Sequence, residues 1–429
     1  MHYKRFNKYL FITFLLGMPG WTLAAVNTAI CVNQVGFLPD NPKGFSVVGS
    51  YSGSFEIDSS PSGALAYTGT FAAPMVNADT EQTLTLGDFS GLSTSGSYTI
   101  NVPGLGQSPV FNISSTVYNN PFWLEMMGYF IRRCGNIAPS FTWNGVTYSH
   151  AACHTGDADE YYVNGDVNKT LVGVGGWHDA GDYGKYTVNT AFAVTQLLQA
   201  WEWHKAVLSQ WSLPIPENGG PYPDYLAEVK WALDWLLSMQ APDGGAYHKM
   251  TGLGFEPFGI LPGTDTTQRY DTPESSAATA EFCAVMSMAG RLYTPYDGGT
   301  YAAQCLSAAA KAFSWLQANP NEVLSNANAS CAGAGLGFVT GTYEDPPCSY
   351  PAGSGLDDDP DHRVHADAEY WDSTGDTTAL ADFETRELPA NDPDQVSLYW
   401  DWGEQLYGKR GPKDNGIFTY LLSSRSGRN

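Results

Sequence analysis

One stretch of twelve residues combines the groups that hydrolysis of an unactivated bond needs. Residues 175–186 read Gly-Gly-Trp-His-Asp-Ala-Gly-Asp-Tyr-Gly-Lys-Tyr. A turn places Asp179 and Asp182 on one side, because residues three apart are neighbours on a turn or helix surface. Two adjacent carboxylates can orient and deprotonate one water. Two simpler interpretations stay open: the acids could offset a helix dipole or belong to a calcium loop.

The same twelve residues closely resemble the G-G-W-H-D-A-G-D-Y-G-K-Y signature of the family-nine glycoside hydrolases, cellulases built on an (α/α)6 barrel. The resemblance implies that Asp182 is the general base and that Asp179 helps to hold the attacking water. It implies an endoglucanase that cleaves β-1,4-glucosidic bonds of cellulose or related β-glucans with inversion, with the carboxyl groups roughly 6.5–9.5 Å apart. Trp177, Tyr183 and Tyr186 are expected to be packing or substrate-binding residues.

The family's general acid is a glutamate near a D-x-x-x-N-E string, and an H-x-R string binds substrate in the same C-terminal segment. Neither string occurs in this sequence. We therefore expect an incomplete α/α barrel, truncated at its C-terminal side, with little activity on its own. A non-catalytic glucan-binding remnant is the alternative function. A metallohydrolase is a third, and the ligand set described next argues against it.

Two cysteines and two histidines predict a metal centre beside the signature. Cys134, Cys153, His154 and His178 would supply two thiolates and two imidazoles, the ligand set of a closed, structural zinc site. Bacterial family members with an N-terminal immunoglobulin-like domain are similar at these positions, and that resemblance assigns all four to one zinc. The alternative is a Cys134–Cys153 disulfide in an exported chain, with His178 an ordinary loop residue.

A second metal expectation rests on the acidic run at 357–361, because carboxylates at this density suit calcium. The family resemblance carries calcium over to Asp358, Asp361 and Asp401. His362 stands where the family commonly has an acid. A solvated acidic helix start explains the same residues without a metal.

The sequence indicates three segments: a signal peptide and two domains. Residues 1–25 have a basic start, an apolar run and small residues before a cleavage point, as in a secretory signal peptide, so we expect a secreted or periplasmic protein. A retained membrane anchor is the alternative. Residues 26–115 contain short strand-like runs between turn residues, which predict a β-sandwich. Val32–Pro39 also resembles the start of the immunoglobulin-like domain that precedes many family-nine catalytic domains.

Residues 118–429 show a helical pattern, because apolar residues recur every three or four positions in several runs separated by Gly- and Pro-rich loops. This pattern fits an α/α toroid. The formal charge of −23 excludes binding to nucleic acid or anionic lipid by charge. The aromatic content of 14% suits either core packing or platforms for sugar rings. We expect a monomer that binds a β-glucan polysaccharide or oligosaccharide and leaves the membrane once the signal is cleaved.

Overall fold

The computed structural model describes residues 26–158, 173–252, 254–325, 359–387 and 411–428. The chain divides after Trp123 into two compact units. The predicted signal peptide, Asp358 and Asp401 lie outside the described residues.

The first unit consists of two antiparallel sheets. One has the order β1 (Ile30–Val32), β2 (Gly44–Val48), β6 (Thr83–Asp88) and β5 (Met75–Val76). The other has the order β4 (Leu65–Thr70), β3 (Ser54–Ser59), β7 (Gly96–Val102) and β8 (Gly106–Gln107), and β9 (Phe111–Ile113) also pairs with β7. Tyr98, Ile100 and Val102 of β7 are buried and alternate with more exposed residues, the period of two that a half-buried strand requires.

The buried faces of both sheets meet in one apolar core, which includes Phe45 and Val47 from one sheet and Phe55 and Ile57 from the other. The Phe45 and Phe55 rings meet edge to face with centroids 4.8 Å apart. A Cβ at Gly87 would lie 2.2 Å from the Phe45 ring, so glycine is required where the ring crosses the strand. The predicted β-sandwich is confirmed.

The second unit is mainly helical. Its helices in chain order are α1 (Asn119–Phe130, which begins before the division), α2 (Thr187–Leu208), α3 (Asp224–Ser238), α4 (Ser276–Leu292), α5 (Thr300–Ala318), α6 (Asp359–Thr374), α7 (Thr377–Glu387) and α8 (Gly411–Leu422). The central helix is α4, which packs against α2, α5 and α6. Its residues are buried on every side up to Gly290, as expected of a helix enclosed by others. The Ser275 hydroxyl caps it by accepting from the Ala278 N–H at 3.1 Å.

Short strands connect these helices. β10 (Ser140–Trp143) and β11 (Val146–Ser149) form a hairpin, and β13 (Ala246–Tyr247) pairs with β16 (Glu274–Ser275). A three-stranded sheet has the order β12 (Lys185–Tyr186), β14 (Lys249–Gly252) and β15 (Arg269–Asp271). The signature therefore ends in a strand that leads directly into α2. Among the described helices, none has the length and apolar character that crossing a membrane requires.

Candidate active site and metal centre

The signature forms a compact loop that ends in β12, the strand that leads into α2. The Asp179 N–H donates to the Gly184 carbonyl at 2.7 Å, which closes the loop around the residues between them. Tyr183 has a φ of +49°, an uncommon conformation for a residue with a side chain. Gly176 has a φ of +73°, and a Cβ there would lie 2.6 Å from the Trp235 ring. Glycine is therefore needed where the loop passes α3.

The Asp182 carboxylate is buried in polar surroundings, with 6% of the residue exposed. The Tyr186 hydroxyl donates to its Oδ2, and the Gly184 N–H donates to its Oδ1 at 3.2 Å. Each carboxylate oxygen has two lone pairs, so both oxygens retain capacity to accept from a water. Asp179 is half-buried. The loop thus holds one carboxylate in a fixed orientation and a second carboxylate three residues away.

A buried cluster of ion pairs contacts this loop and restrains it. The Lys185 ammonium lies 2.7 Å from Asp157 Oδ2, and Arg269 Nε lies 2.7 Å from Asp157 Oδ1. Burial alone would raise the pKa of Asp157, but the charges of Lys185 and Arg269 outweigh it and lower the pKa. Lys185 also donates to the Gly175 carbonyl at 3.1 Å, and Arg269 donates to the Tyr183 carbonyl at 2.8 Å. The cluster therefore restrains both ends of the loop.

A second buried cluster involves Arg133, which follows α1. Its guanidinium donates to Glu228 on α3, with contacts of 3.2 Å and 2.9 Å, and to Glu217 at 2.9 Å. The Trp177 indole N–H donates to the same Glu228 carboxylate at 3.0 Å. The sequence pattern does not indicate Arg133, Glu228, Asp157 or Arg269 as functional residues. No spacing signal marks them, since each pair is assembled from distant parts of the chain.

The three aromatic residues of the signature occupy different environments. Trp177 and Tyr186 are 6% and 2% exposed, so their rings have little surface to offer a substrate. Their burial favours packing and positioning over sugar binding as their role. Tyr183 is partly exposed, and its hydroxyl donates to the Ile260 carbonyl.

Three of the four predicted zinc ligands lie together. Cys134 Sγ is 3.5 Å from Cys153 Sγ and 3.2 Å from His154 Nδ1, and one donor atom of each residue lies within 4.8 Å of the others. Zn–S bonds of about 2.3 Å at a tetrahedral angle would place two sulfurs slightly less than 4 Å apart. Both cysteines are free thiols, so the structure does not contain the alternative disulfide.

The surroundings of these ligands suit a metal. His154 Nε2 lies 2.9 Å from Asp265 Oδ2, the carboxylate contact that commonly orients a ligating histidine through its other nitrogen. Burial raises the pKa of the Cys134 thiol, whereas hydrogen bonding with Cys134 lowers that of Cys153. The lowered pKa favours the metal-binding thiolate at Cys153, whereas the raised pKa opposes it at Cys134.

The fourth predicted ligand, His178, lies beside the other three but outside the compact group. Its ring centroid is 6.5 Å from that of His154. Its Nδ1 contacts the Asp179 carbonyl at 2.9 Å, and its buried Nε2 has no hydrogen-bond partner among the described residues. Burial lowers the pKa of His178 to about 3, so the imidazole stays neutral, as a metal ligand must be. The structure thus brings three of the four predicted ligands together, and His178 is not part of that compact group.

The predicted calcium residues are described only in part. Asp361 lies half-buried in the first turn of α6. The next residue, His362, is buried with Nδ1 2.9 Å from Glu281 Oε1 on α4, and His365 Nδ1 lies 3.0 Å from Glu281 Oε2. His362 thus joins a histidine–glutamate cluster between two helices. The other two predicted calcium residues, Asp358 and Asp401, lie outside the described residues.

Two family matches agree with this arrangement. Residues 118–412 match Glycosyl hydrolase family 9, and residues 25–107 match the cellulase N-terminal ig-like domain. The chain belongs to glycosyl hydrolase family 9.

Related proteins support the same assignment. Endoglucanase D of Acetivibrio thermocellus is 38% identical over 405 residues, which cover 94% of this chain and 59% of the relative. A xyloglucan-specific endo-beta-1,4-glucanase of Bacteroides ovatus is 31% identical, covering 74% of this chain and 55% of that protein. The crystal structure of a metagenome-derived family 9 endoglucanase superposes with a TM-score of 0.73 at 31% identity, covering 93% of this chain and 69% of the other. The chain thus spans less than two thirds of the length of both named relatives.

Proposed function

We propose that this protein is a secreted endoglucanase that hydrolyses β-1,4-glucosidic bonds of β-glucans with inversion at the anomeric carbon. The observation that carries the proposal is the fixed orientation of Asp182, whose carboxylate accepts from the Tyr186 hydroxyl and the Gly184 N–H within the family signature. Relatives named as endoglucanases support the substrate class.

In this mechanism Asp182 takes a proton from a water, and Asp179 holds that water by accepting its second hydrogen bond. The water attacks the anomeric carbon from the face opposite the leaving sugar. A general acid must protonate the leaving oxygen, and the two carboxyl groups must leave room for the water between them. The acid is not assigned to a residue of this chain, because the string that carries it in the family does not occur in the sequence.

The test compares this chain with a version extended by the C-terminal segment of a family relative, each with and without Asp182→Asn. Hydrolysis of carboxymethyl cellulose and of xyloglucan is measured by the release of reducing ends. We expect the extended protein to be active and Asp182→Asn to reduce its rate by about 10²–10⁴-fold. The unextended chain should show little activity that depends on Asp182.

Other results would change the proposal. Robust hydrolysis by the unextended chain would locate an acid within it. Glucan binding by the extended protein without hydrolysis would favour the non-catalytic alternative. Full activity of extended Asp182→Asn would remove Asp182 as the base.

We also propose that Cys134, Cys153, His154 and His178 hold one structural zinc. When bound, zinc would supply a closed four-ligand crosslink, which leaves no position for a catalytic water. Asp265 orients His154, and the link from His178 to the Asp179 carbonyl would place the crosslink next to the water-holding carboxylate. The contact of His178 with the Asp179 backbone would help to position Asp179, while the proton transfer remains with Asp182.

Elemental analysis of the purified protein tests this centre. We expect about one zinc per chain, and we expect Cys153→Ser to lose it together with thermal stability. Cys283→Ser is the matched control, because Cys283 is also buried but lies on α4 away from the cluster. Zinc-free protein with a Cys134–Cys153 disulfide would refute the proposal. The same measurement reports calcium, which we propose only for the acidic start of α6 around Asp361.

A further inference from the structure

The buried carboxylate of Asp265 connects the proposed metal centre with a neighbouring loop. Its Oδ2 lies 2.9 Å from His154 Nε2, and its Oδ1 accepts from the Thr267 N–H at 2.8 Å. The side chains of Asp265 and His154 are only 1% and 2% exposed. A carboxylate at such a buried position needs these partners, because its charge is costly to remove from water. Asp265 therefore uses one oxygen for His154 and the other for its own loop.

The contact with Asp265 decides which nitrogen of His154 can bind a metal. A carboxylate can only accept hydrogen bonds, so the single proton of the neutral imidazole lies on Nε2. Nδ1 is then the metal donor, and it lies 3.2 Å from Cys134 Sγ. The His154 backbone has a φ of +50°, an uncommon conformation for a residue with a side chain. The imidazole is thus held between the carboxylate on one side and the thiols on the other.

Asp265 belongs to loop 254–268, which precedes β15. A Cβ at Gly263 of this loop would lie 2.9 Å from the Cβ of Ala151, two residues before Cys153. The Tyr183 hydroxyl, within the signature, donates to the Ile260 carbonyl. The loop therefore lies against two segments of the chain that also carry predicted metal ligands.

Apolar burial contributes little to holding this loop. Phe258 is fully exposed, Phe255 is 69% exposed and Leu261 is 61% exposed. Burial of apolar surface is the dominant favourable term in folding, so a segment that buries few apolar side chains depends on its polar contacts. Loss of the Asp265 contact should therefore change the local stability of the loop more than that of the packed helices.

We infer that Asp265 is a positioning residue of the metal centre, through which metal binding stabilises the conformation of loop 254–268. This inference rests on the proposed zinc centre. A metal-bound His154 keeps its ring in place, and its Nε2–H then holds Asp265 and the loop. In the other direction, the carboxylate fixes the tautomer of His154 and raises the basicity of Nδ1. The two effects are linked, because a coupling free energy between two sites acts equally in both directions.

Asp243 provides a matched control for Asp265. Its Oδ1 accepts from the N–H of Gly245, also two residues later, at 3.1 Å, and its Oδ2 accepts from the Trp315 indole N–H at 3.2 Å. Asp243 thus makes the same kind of turn and the same kind of ring contact, but its ring partner lies on α5 instead of in the metal centre. Removal of either carboxylate loses the same types of hydrogen bond.

The first measurement is the zinc affinity of the full chain, by competition with a chromophoric chelator. We expect Asp265→Ala to raise the Kd for zinc about 10–100-fold, the usual cost of losing the carboxylate behind a ligating histidine. Asp265→Asn keeps a neutral acceptor, so its Kd should lie between those of the alanine variant and the wild type. Asp243→Ala should leave Kd unchanged. Histidine NMR spectra of the zinc-bound wild type should show His154 protonated at Nε2.

The second measurement is hydrogen exchange of loop 254–268 at saturating zinc. Asp265→Ala should increase exchange in the loop, while α4 and the β-sandwich keep their protection. Asp243→Ala should not increase exchange in the loop. Chelation of zinc from the wild type should reproduce the faster loop exchange, whereas chelation should change the loop little in Asp265→Ala, because the link is already lost.

Other results overturn the inference in distinct ways. Unchanged zinc affinity of Asp265→Ala rejects the positioning role. Equal weakening of zinc binding by Asp243→Ala shows a general loss of stability and rejects it as well. Loop exchange that is the same with and without zinc rejects the coupling. A chain that binds no zinc rejects this inference together with the proposed centre, and hydrolysis by the extended protein that depends on Asp182 would show that the proposed hydrolase function stands separately.

Discussion

The two units of this protein fill their interiors in different ways. The sandwich core consists of apolar side chains such as Phe45, Phe55 and Ile100, with several aromatic rings in edge contact. The helical unit buries charged groups in pairs of opposite sign, whereas the buried Lys43 of the sandwich donates to the backbone carbonyls of Pro39 and Asn41. Arg133 with Glu228 and Lys185 with Asp157 have side chains at most 1% exposed.

The two kinds of interior serve different purposes: apolar burial stabilises the fold, and buried ion pairs position particular groups. Burial of apolar surface is favourable and non-directional, so it stabilises the sandwich without orienting any particular group. A buried ion pair loses much of its attraction to desolvation, but its directional contacts fix the groups around it. Both charged pairs contact the signature, through Trp177 in one case and through Gly175 in the other. We conclude that the helical unit uses buried charge to position the signature loop.

Among the substitutions that test this comparison, Arg133→Met should cause the largest loss of stability. The substitution leaves Glu228 buried without its cation, and burial already raises the pKa of that carboxyl. We expect a loss of about 3–5 kcal/mol in unfolding free energy. Hydrogen exchange should show lost protection in the signature and α3, with the sandwich unchanged. Lys230→Ala is the control, because its pair with Asp234 is exposed and should contribute less than about 1 kcal/mol. Equal effects of both substitutions would contradict the positioning role.

Ile57→Ala tests the sandwich in the same way. Ile57 is fully buried, so the substitution should cost about 2–5 kcal/mol through lost burial and a cavity. Exchange should increase in the sheets of the first unit, and cellohexaose binding should stay normal in the folded fraction. Leu65→Ala, on an exposed position, should change stability by less than about 0.5 kcal/mol. Loss of sugar binding by folded Ile57→Ala would show that the sandwich does more than provide stability.

The smallest effect concerns pH. Burial disfavours the charged forms of both Glu281 and His365, but their pairing lowers the pKa of Glu281 to about 2 and raises that of His365. The ionised Glu281 stabilises the folded state above pH 4.5, and this stabilisation is lost as pH falls toward 2. The protonated His365 stabilises the folded state fully below pH 6.5, and this stabilisation is lost as pH rises through the raised pKa of His365.

Thermal unfolding should therefore show the helical unit losing on the order of 1 kcal/mol between pH 6 and pH 9. His365→Gln should reduce this loss. Burial raises the pKa of Asp367 to about 7, so its ionisation also destabilises the folded state as pH rises. Asp367 is present in both proteins. The difference between the two proteins thus isolates His365. The sandwich should show little change, and an identical pH dependence in both proteins would contradict the assignment.

Much of the secondary structure follows from sequence periodicity. The apolar spacing predicts helices over 223–239, 275–292 and 301–318, close to the observed ends of α3, α4 and α5. Sequence periodicity does not reveal β3, β4 or α7. In β4 (Leu65–Thr70) the residues are exposed or half-buried, so the strand lacks the alternation that reveals a buried face. α7 has only four buried residues, which makes its stripe weak.

The sequence by itself determined the groups that lie close along the chain: Asp179 and Asp182 in one loop, and Cys153 next to His154. Contiguous residues share one local backbone conformation, so their types and spacing are sufficient to predict their proximity. Tertiary structure alone decided the ion pairs, since Arg133 and Glu228 are 95 positions apart and Asp157 and Arg269 are 112 apart. The attraction between charges in water is too weak to bring such partners together, so they meet only when helices and loops pack. No spacing in the sequence therefore indicates which distant charges will pair.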